Sequence, residues 1–182
     1  MAVRMALLAP DIVQGLITLG TSMDSERRRS RDLGCWDGIE YNTPLIDALA
    51  EPVGEDWVVP DEVVDSVFDT AMGGLSAEER AFWLATCRTN YAGRRRLLLS
   101  TVNLRDRDGL HGRLDDVRCP VLWLHGTADQ VYSVANAREE IRMFTRSPEA
   151  RLETIGGGRH FLSASNPAEV DSAAIDFVKR WA

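Results

Sequence analysis

Two short segments that end in turn residues form the clearest hydrophobic pattern in the chain. The first is the apolar run of residues 121–124, which is followed by His125 and Gly126 and, three residues later, by Asp129. The second, residues 150–155, alternates apolar and polar positions and ends in three glycines before His160. Such segments predict strands of a parallel sheet. The pattern of residues 133–145 predicts a helix that connects them.

These two predicted strands bring an acid and a histidine to the same place. Because the carboxyl ends of parallel strands share one edge of the sheet, Asp129 and His160 are expected to lie together there. We expect a hydrogen bond of roughly 2.6–3.2 Å between them. Such an aspartate orients the imidazole and stabilises it when it takes up a proton.

The beginning of the chain predicts a third strand of the same kind. Residues 1–9 have a helical pattern that ends at Pro10 and Asp11. Residues 12–19 form a second apolar run, closed by Gly-Thr-Ser. The fold class is therefore α/β, with three parallel strands and flanking helices.

The middle of the chain has helical periodicity instead. Helices are predicted over residues 43–50, over residues 60–72, from Ser76 onward, and over residues 93–102. Ser76 and Glu79 have the spacing of a capping box, in which each side chain bonds the other residue's backbone N–H.

The segment Pro-Val-Leu-Trp-Leu-His-Gly-Thr-Ala-Asp, followed by a Gly-rich turn and His160, resembles the α/β-hydrolase superfamily. The likeness is strong over residues 118–182 and includes the first twenty-odd residues. The middle of the chain is only loosely similar to the variable cap of that family. The resemblance implies a partial α/β-hydrolase fold, with a core of residues 1–22 and 111–182 and an inserted helical cap over residues 23–110.

The resemblance also implies a chemistry. The family's triad runs nucleophile, acid, histidine along the chain, so Asp129 corresponds to the acid and His160 to the base. The implied substrate is a small apolar ester, amide or carbon–carbon compound. Some relatives use an aspartate nucleophile on epoxides or haloalkanes, and that alternative stays open. No metal or cofactor is expected.

The family's nucleophile motif, G-x-S-x-G, does not occur in the sequence. Residues 20–24 have Gly and Ser at the right spacing, but Asp24 replaces the last glycine and the segment follows the wrong strand. Ser22 is therefore interpreted as a loop serine rather than a nucleophile. We expect Met1 to be an internal methionine of a longer hydrolase, so that this chain is truncated or comes from an incomplete gene model.

An alternative interpretation is a non-catalytic binding or interaction module of hydrolase fold. Self-association is then expected through an exposed strand edge at residues 12–19.

Aromatic side chains near the expected site are candidates for binding an apolar substrate. Trp36 can equally be explained as packing of the insertion onto the core, and for any one of the cap residues Trp57, Phe82, Trp83 and Tyr91 plain packing is the favoured explanation. The candidates are Trp36, Trp57, Trp83, Tyr132 and Phe161, together with Phe82 and Tyr91 of the cap.

Composition narrows the choice of partners. The net charge is −7 and the sequence pI is about 5.0, which argues against a nucleic-acid surface. The basic run at residues 27–31 is flanked by acidic residues and is interpreted as solvated. There is no apolar window of about 18 residues and no signal-peptide pattern, so no membrane contact and a cytoplasmic location are expected.

The three cysteines are far apart in sequence, which favours reduced thiols over a zinc site. His125 is expected to support the turn after its strand, whereas His111 is expected to be exposed in a polar loop.

Overall fold

The structure is a computed structural model that describes residues 1–24, 32–35, 46–47, 57, 60–61, 75–90 and 94–181. Within these residues the strands are β1 (Leu16–Leu19), β2 (Val121–Gly126) and β3 (Ala150–Ile155). The helices of four or more residues in the same part of the chain are α1 (Ala2–Leu8), α2 (Ala77–Asn90), α3 (Arg94–Asp106), a 3₁₀ helix (His111–Asp116), α4 (Val134–Ile141), α5 (Leu162–Ser165) and α6 (Pro167–Trp181).

The three strands form one parallel sheet in the order β1-β2-β3. Leu16 is paired with Val121 at the start of the sheet, and Gly126 is paired with Ile155 at its carboxyl end. All six residues of β2 are buried, as is expected of a central strand covered on both faces. The predicted α/β architecture with three parallel strands is confirmed.

Alternation along β2 divides the core into two layers. Val121 and Trp123 contribute to a cluster on one face that includes residues of α1 and α4. Leu122 and Leu124 contribute to a cluster on the other face that includes residues of α5 and α6. Successive side chains of a strand point to opposite faces, so the sheet is sandwiched between helices.

The first strand is shorter than the sequence indicated. The predicted strand of residues 12–19 is observed only as Leu16–Leu19. The reason is its partner, since β2 begins at Val121 and the Leu16 amide already bonds the carbonyl of Pro120. Gly15, just before the strand, lies so close to Phe177 that a Cβ there would be 3.1 Å from the ring.

Two helices also differ from their predicted form. The helix predicted over residues 133–145 is observed as α4, which ends at Ile141. The pattern of residues 167–181 predicts a last helix that buries Val170, Phe177 and Val178. α6 has these bounds, and Val170 and Phe177 are buried, but Val178 is 52% exposed.

The helical character of the middle of the chain is observed in α2 and α3. The helix predicted over residues 93–102 extends to Asp106. The helices predicted over residues 43–50 and 60–72 lie mostly outside the described residues. The division into core and cap stays a prediction. Among the described residues, none of the helices has the length and hydrophobicity required to cross a membrane.

Candidate active site

Asp129 and His160 lie together at the carboxyl end of the sheet, each in the loop after its strand. Asp129 Oδ2 is 3.1 Å from Nδ1 of His160, within the predicted distance. The Asp129 side chain is fully buried, and that of His160 is 20% exposed. Because an ionised carboxylate can only accept, Nδ1 carries the hydrogen of this bond, and in the neutral imidazole the lone pair is then on Nε2. The described residues place no hydrogen bond on Nε2 of His160.

The second oxygen of Asp129 fixes the loop in which the residue lies. Oδ1 accepts the backbone N–H groups of Val131 at 2.8 Å and Tyr132 at 3.0 Å, an Asx-type turn. Burial alone raises the pKa of the Asp129 carboxyl. The hydrogen bond and the charge of His160, together with the two amides, outweigh burial and hold that pKa below its ordinary value. The carboxylate is therefore kept ionised, as an acid that orients a histidine must be.

His125 supports the same loop through a bond to its backbone. It is fully buried, and its Nε2 lies 3.0 Å from the carbonyl oxygen of Tyr132. Trp123 Nε1 donates to His125 Nδ1 at 3.3 Å, so the ring is neutral with its hydrogen on Nε2. The predicted structural role of His125 at this turn is confirmed.

Close backbone contacts join the two loops that carry Asp129 and His160. The Ala128 amide bonds the Gly158 carbonyl at 2.9 Å, and the Gly157 amide bonds Thr127 Oγ1 at 2.9 Å. A Cβ on Gly126 would lie 2.1 Å from the Gly158 carbonyl oxygen. Only glycine fits at position 126. Its small size allows the two loops to come close enough to bond each other, and these bonds hold Asp129 and His160 together.

Gly20, at the end of β1, touches both members of the pair. Its φ is +44°, and a Cβ there would lie 2.5 Å from the His160 carbonyl oxygen and 3.2 Å from Asp129 Oδ2. The sequence had identified Gly20 only as a residue that closes a strand. A glycine at that place can equally mark a close backbone approach, which the sequence does not distinguish from a simple turn.

Two of the predicted aromatic residues lie beside His160. The ring centroids of Tyr132 and Phe161 are 5.5 Å and 5.2 Å from that of His160. Tyr132 is buried, whereas Phe161 is 40% exposed. These two rings therefore flank the imidazole.

The remaining aromatic candidates are not placed at the site. The described ring contact of Trp83, in α2, is with Phe82. Trp57 is partly buried, and the structure describes it without its immediate neighbours in the chain. Trp36 and Tyr91 lie outside the described residues.

The prediction of an exposed His111 was wrong. His111 begins the 3₁₀ helix, its side chain is 22% exposed, and its Nε2 lies 2.5 Å from Glu140 Oε1. Glu140 is fully buried and was not identified from the sequence. The signal was available, because Glu140 is placed three residues after Ala137 and directly before Ile141, among the apolar positions of α4.

The geometry of Ser22 agrees with its interpretation as a loop serine. Ser22 is 2% exposed, and its Oγ donates to Glu140 at 3.0 Å. The same oxygen accepts from Asn136 Nδ2 and from the Asp24 amide, each at 3.2 Å. The hydroxyl is thus bonded by α4 and its own loop, and none of its described hydrogen bonds is to His160.

Neither of two cavities in the described part of the chain is lined by Asp129 or His160. One, of about 670 Å³, lies between the start of α1, the end of β1 and residues near Arg107. The other, of about 300 Å³, is an apolar groove between β1 and α6. Among the described residues, no group of three or more His, Cys, Asp or Glu side chains is arranged to hold a metal ion.

No protein-family model matches the chain, and no curated protein matches it significantly. Solved structures do. A thermophilic esterase from Thermogutta terrifontis superposes with a TM-score of 0.73 at 15% identity, over 98% of this chain and 60% of its own. A hydrolase from Pseudomonas aeruginosa PA01 gives 0.71 at 17% identity, over 96% and 59%. Rv0554 from Mycobacterium tuberculosis gives 0.70 at 15% identity, over 100% and 62%.

The chain therefore spans about three-fifths of the length of these structures. At such low identity the similarity concerns the fold and not the activity. The parallel sheet, its helical layers and the matching structures agree: the chain has a partial α/β-hydrolase fold.

Proposed function

We propose that Asp129 and His160 are the acid and the base of a hydrolase site that acts on a small apolar ester, amide or carbon–carbon substrate. The observation that carries the proposal is the bond between Nδ1 of His160 and the buried carboxylate of Asp129. With Nδ1 held, Nε2 is the nitrogen that removes a proton from a nucleophile and returns it to the leaving group. The rings of Tyr132 and Phe161 provide apolar surface beside it.

The nucleophile is proposed to lie outside the 182-residue chain, in the longer hydrolase that the sequence analysis expects. Ser22 is buried and bonded to Glu140, so it offers no hydroxyl to His160. The matching structures are longer than this chain, and two of them are described as an esterase and a hydrolase. A serine is the expected nucleophile, with an aspartate as the alternative.

Ester turnover tests the proposal. We expect the 182-residue chain to hydrolyse 4-nitrophenyl acetate no faster than buffer, because an Asp–His pair without a nucleophile forms no acyl intermediate. A chain extended upstream in the same reading frame is expected to be active. His160→Ala in that longer chain should lower kcat on the order of 10⁴-fold.

Two results would contradict the proposal. One is an extended chain that keeps full activity after His160→Ala. The other is turnover by the 182-residue chain that Ser22→Ala abolishes, which would make Ser22 the nucleophile. Lys179→Ala, at the exposed end of α6, serves as the control variant.

The alternative function is a binding or interaction module without catalysis. The observation that favours it is β1, which pairs only with β2 among the described residues. An extended chain that is folded and turns over no ester would support this alternative.

A further inference from the structure

Glu140 is a buried carboxylate that the proposed reaction does not use. It lies in α4 and is fully buried. It accepts the Ser22 hydroxyl at 3.0 Å, the Met23 amide at 2.9 Å and the Asp24 amide at 3.1 Å. His111 Nε2 lies 2.5 Å from it. A buried carboxylate is tolerated only when it is well bonded, and Glu140 meets that condition with partners from two distant parts of the chain.

Those partners stand at the two ends of one segment. Residues 22–24 lie where the chain leaves the sheet after β1, and His111 lies where it returns. The Leu110 amide also bonds the Met23 carbonyl at 2.8 Å, which joins the two ends directly. One side chain of α4 therefore holds both junctions of the 23–110 segment.

The same contacts lead to His160 through Gly20. Ser22, two residues after Gly20, is fixed by Glu140 and by Asn136 Nδ2. Gly20 in turn lies against the His160 backbone, where even one added carbon would be 2.5 Å from the carbonyl oxygen. A shift of residues 22–24 would therefore be transmitted to the backbone of His160.

The helix that carries Glu140 is also connected to Asp129, the acid of the pair. α4 begins directly after the Asp129 turn, with Ser133 as its N-cap, whose Oγ accepts the Asn136 amide at 3.1 Å. The helix that carries Glu140 is thus continuous with the loop that carries Asp129. α4 is therefore linked to His160 through Ser22 and Gly20, and to Asp129 through the loop that precedes the helix.

We propose that Glu140 is a positioning residue, which fixes both ends of the 23–110 segment and, through Gly20, the place of His160 relative to Asp129. This positioning role of Glu140 rests on the proposed function in one respect, which is that His160 is the base. It assigns to Glu140 no contact with a substrate.

Hydrogen exchange on the 182-residue chain tests the first half of this proposal. In Glu140→Gln we expect the amides of Met23, Asp24 and Leu110 to exchange about tenfold faster or more, since a bonded charge is lost at the junction. Glu139→Gln is the matched control, because Glu139 is the preceding residue of the same helix and 42% exposed. Exchange at these amides that is equal in both variants would overturn the proposal.

The second part of the proposal, that Glu140 fixes the place of His160, needs a measurement on His160 itself. If Glu140 only held the junction, that measurement would not change. With ¹⁵N-labelled histidine, the Nδ1–H signal of His160 reports its bond to Asp129. We expect Glu140→Gln to shift or broaden this signal and Glu139→Gln to leave it as in the wild type. A His160 signal unaltered by Glu140→Gln would show that Glu140 holds the junction alone and would refute its positioning role.

A further variant covers the case in which Glu140→Gln does not fold. His111→Gln leaves the carboxylate in place and removes its imidazole partner, so faster exchange of Leu110 and a shifted His160 signal are again expected. Wild-type behaviour of both would overturn the proposal. Neither readout requires turnover, so an inactive extended chain would refute the proposed hydrolase function without altering these results.

Discussion

At Gly20 a single added carbon would collide with the backbone of the proposed base. In Gly20→Ala the positive φ and the 2.5 Å approach to the His160 carbonyl oxygen both act against the folded state. We expect a loss of about 1–3 kcal/mol in the free energy of unfolding, measured by urea denaturation. Gly112→Ala is the control, because a Cβ there has no neighbour within 4 Å. Equal stability of the two variants would contradict the contact.

The lowered pKa of Asp129 has a consequence for stability against pH. In the unfolded chain an aspartate has a pKa of about 3.9, and in the folded chain His160 and two backbone amides outweigh burial and hold it lower. The stability that comes from this difference is fully present above the unfolded pKa and is lost as the pH falls through the folded pKa.

Asp129→Asn lacks that contribution. The gap in the free energy of unfolding between wild type and variant should therefore be constant above about pH 5 and shrink below about pH 4. Urea denaturation at a series of pH values measures it. Asp171→Asn, on an exposed position of α6, is the control variant. A gap between wild type and Asp129→Asn that does not change between pH 3 and pH 7 would contradict the pKa assignment.

Among the elements, α2 begins at the capping box that the sequence predicted. Ser76 Oγ donates to Glu79 Oε2 at 2.7 Å, and the Glu79 amide bonds Ser76 Oγ at 3.2 Å. Ser76→Ala removes this bond, and we expect it to destabilise the helix by about 1 kcal/mol. Faster amide exchange in the first turn of α2 would show it.

The control for the cap is a hydroxyl inside the same helix. Thr89 Oγ1 bonds the Ala85 carbonyl at 3.0 Å and lies at an exposed position. Thr89→Ala should leave exchange in the first turn unchanged, because alanine is the better helix former and no cap is lost. A first turn that exchanges equally fast in wild type and Ser76→Ala would mean that the cap contributes nothing.

The elements also show which features a single sequence reveals. β2 and β3 were predicted almost to the residue, because their runs end in glycines that close the strand locally. β1 was predicted too long, because its start is set by Val121, more than a hundred residues away. Asp129 and His160 could be paired from the sequence since their strands are neighbours. Glu140 and His111 were missed, since their contact depends on how α4 meets a distant junction.

At the scale of the whole molecule, β1 is an edge strand of the sheet, and no described strand pairs with its outer side. The amides of Leu16 and Gly20 bond Pro120 and Leu124, and β1 pairs with β2 alone among the described residues. Ile12, just before β1, is 79% exposed and lines the apolar groove between β1 and α6. Open strand edges with apolar neighbours favour pairing between chains.

The self-association predicted through this edge is tested by sizing. We expect the 182-residue chain to show a concentration-dependent dimer in size-exclusion chromatography with light scattering. Ile12→Lys should shift the chain toward the monomer, because a charge beside the edge disfavours burial against a second copy. Leu8→Lys, at a residue that is 80% exposed at the end of α1, should leave the dimer unchanged. A chain that stays monomeric at every concentration would refute association through β1, as would a dimer that both substitutions weaken equally.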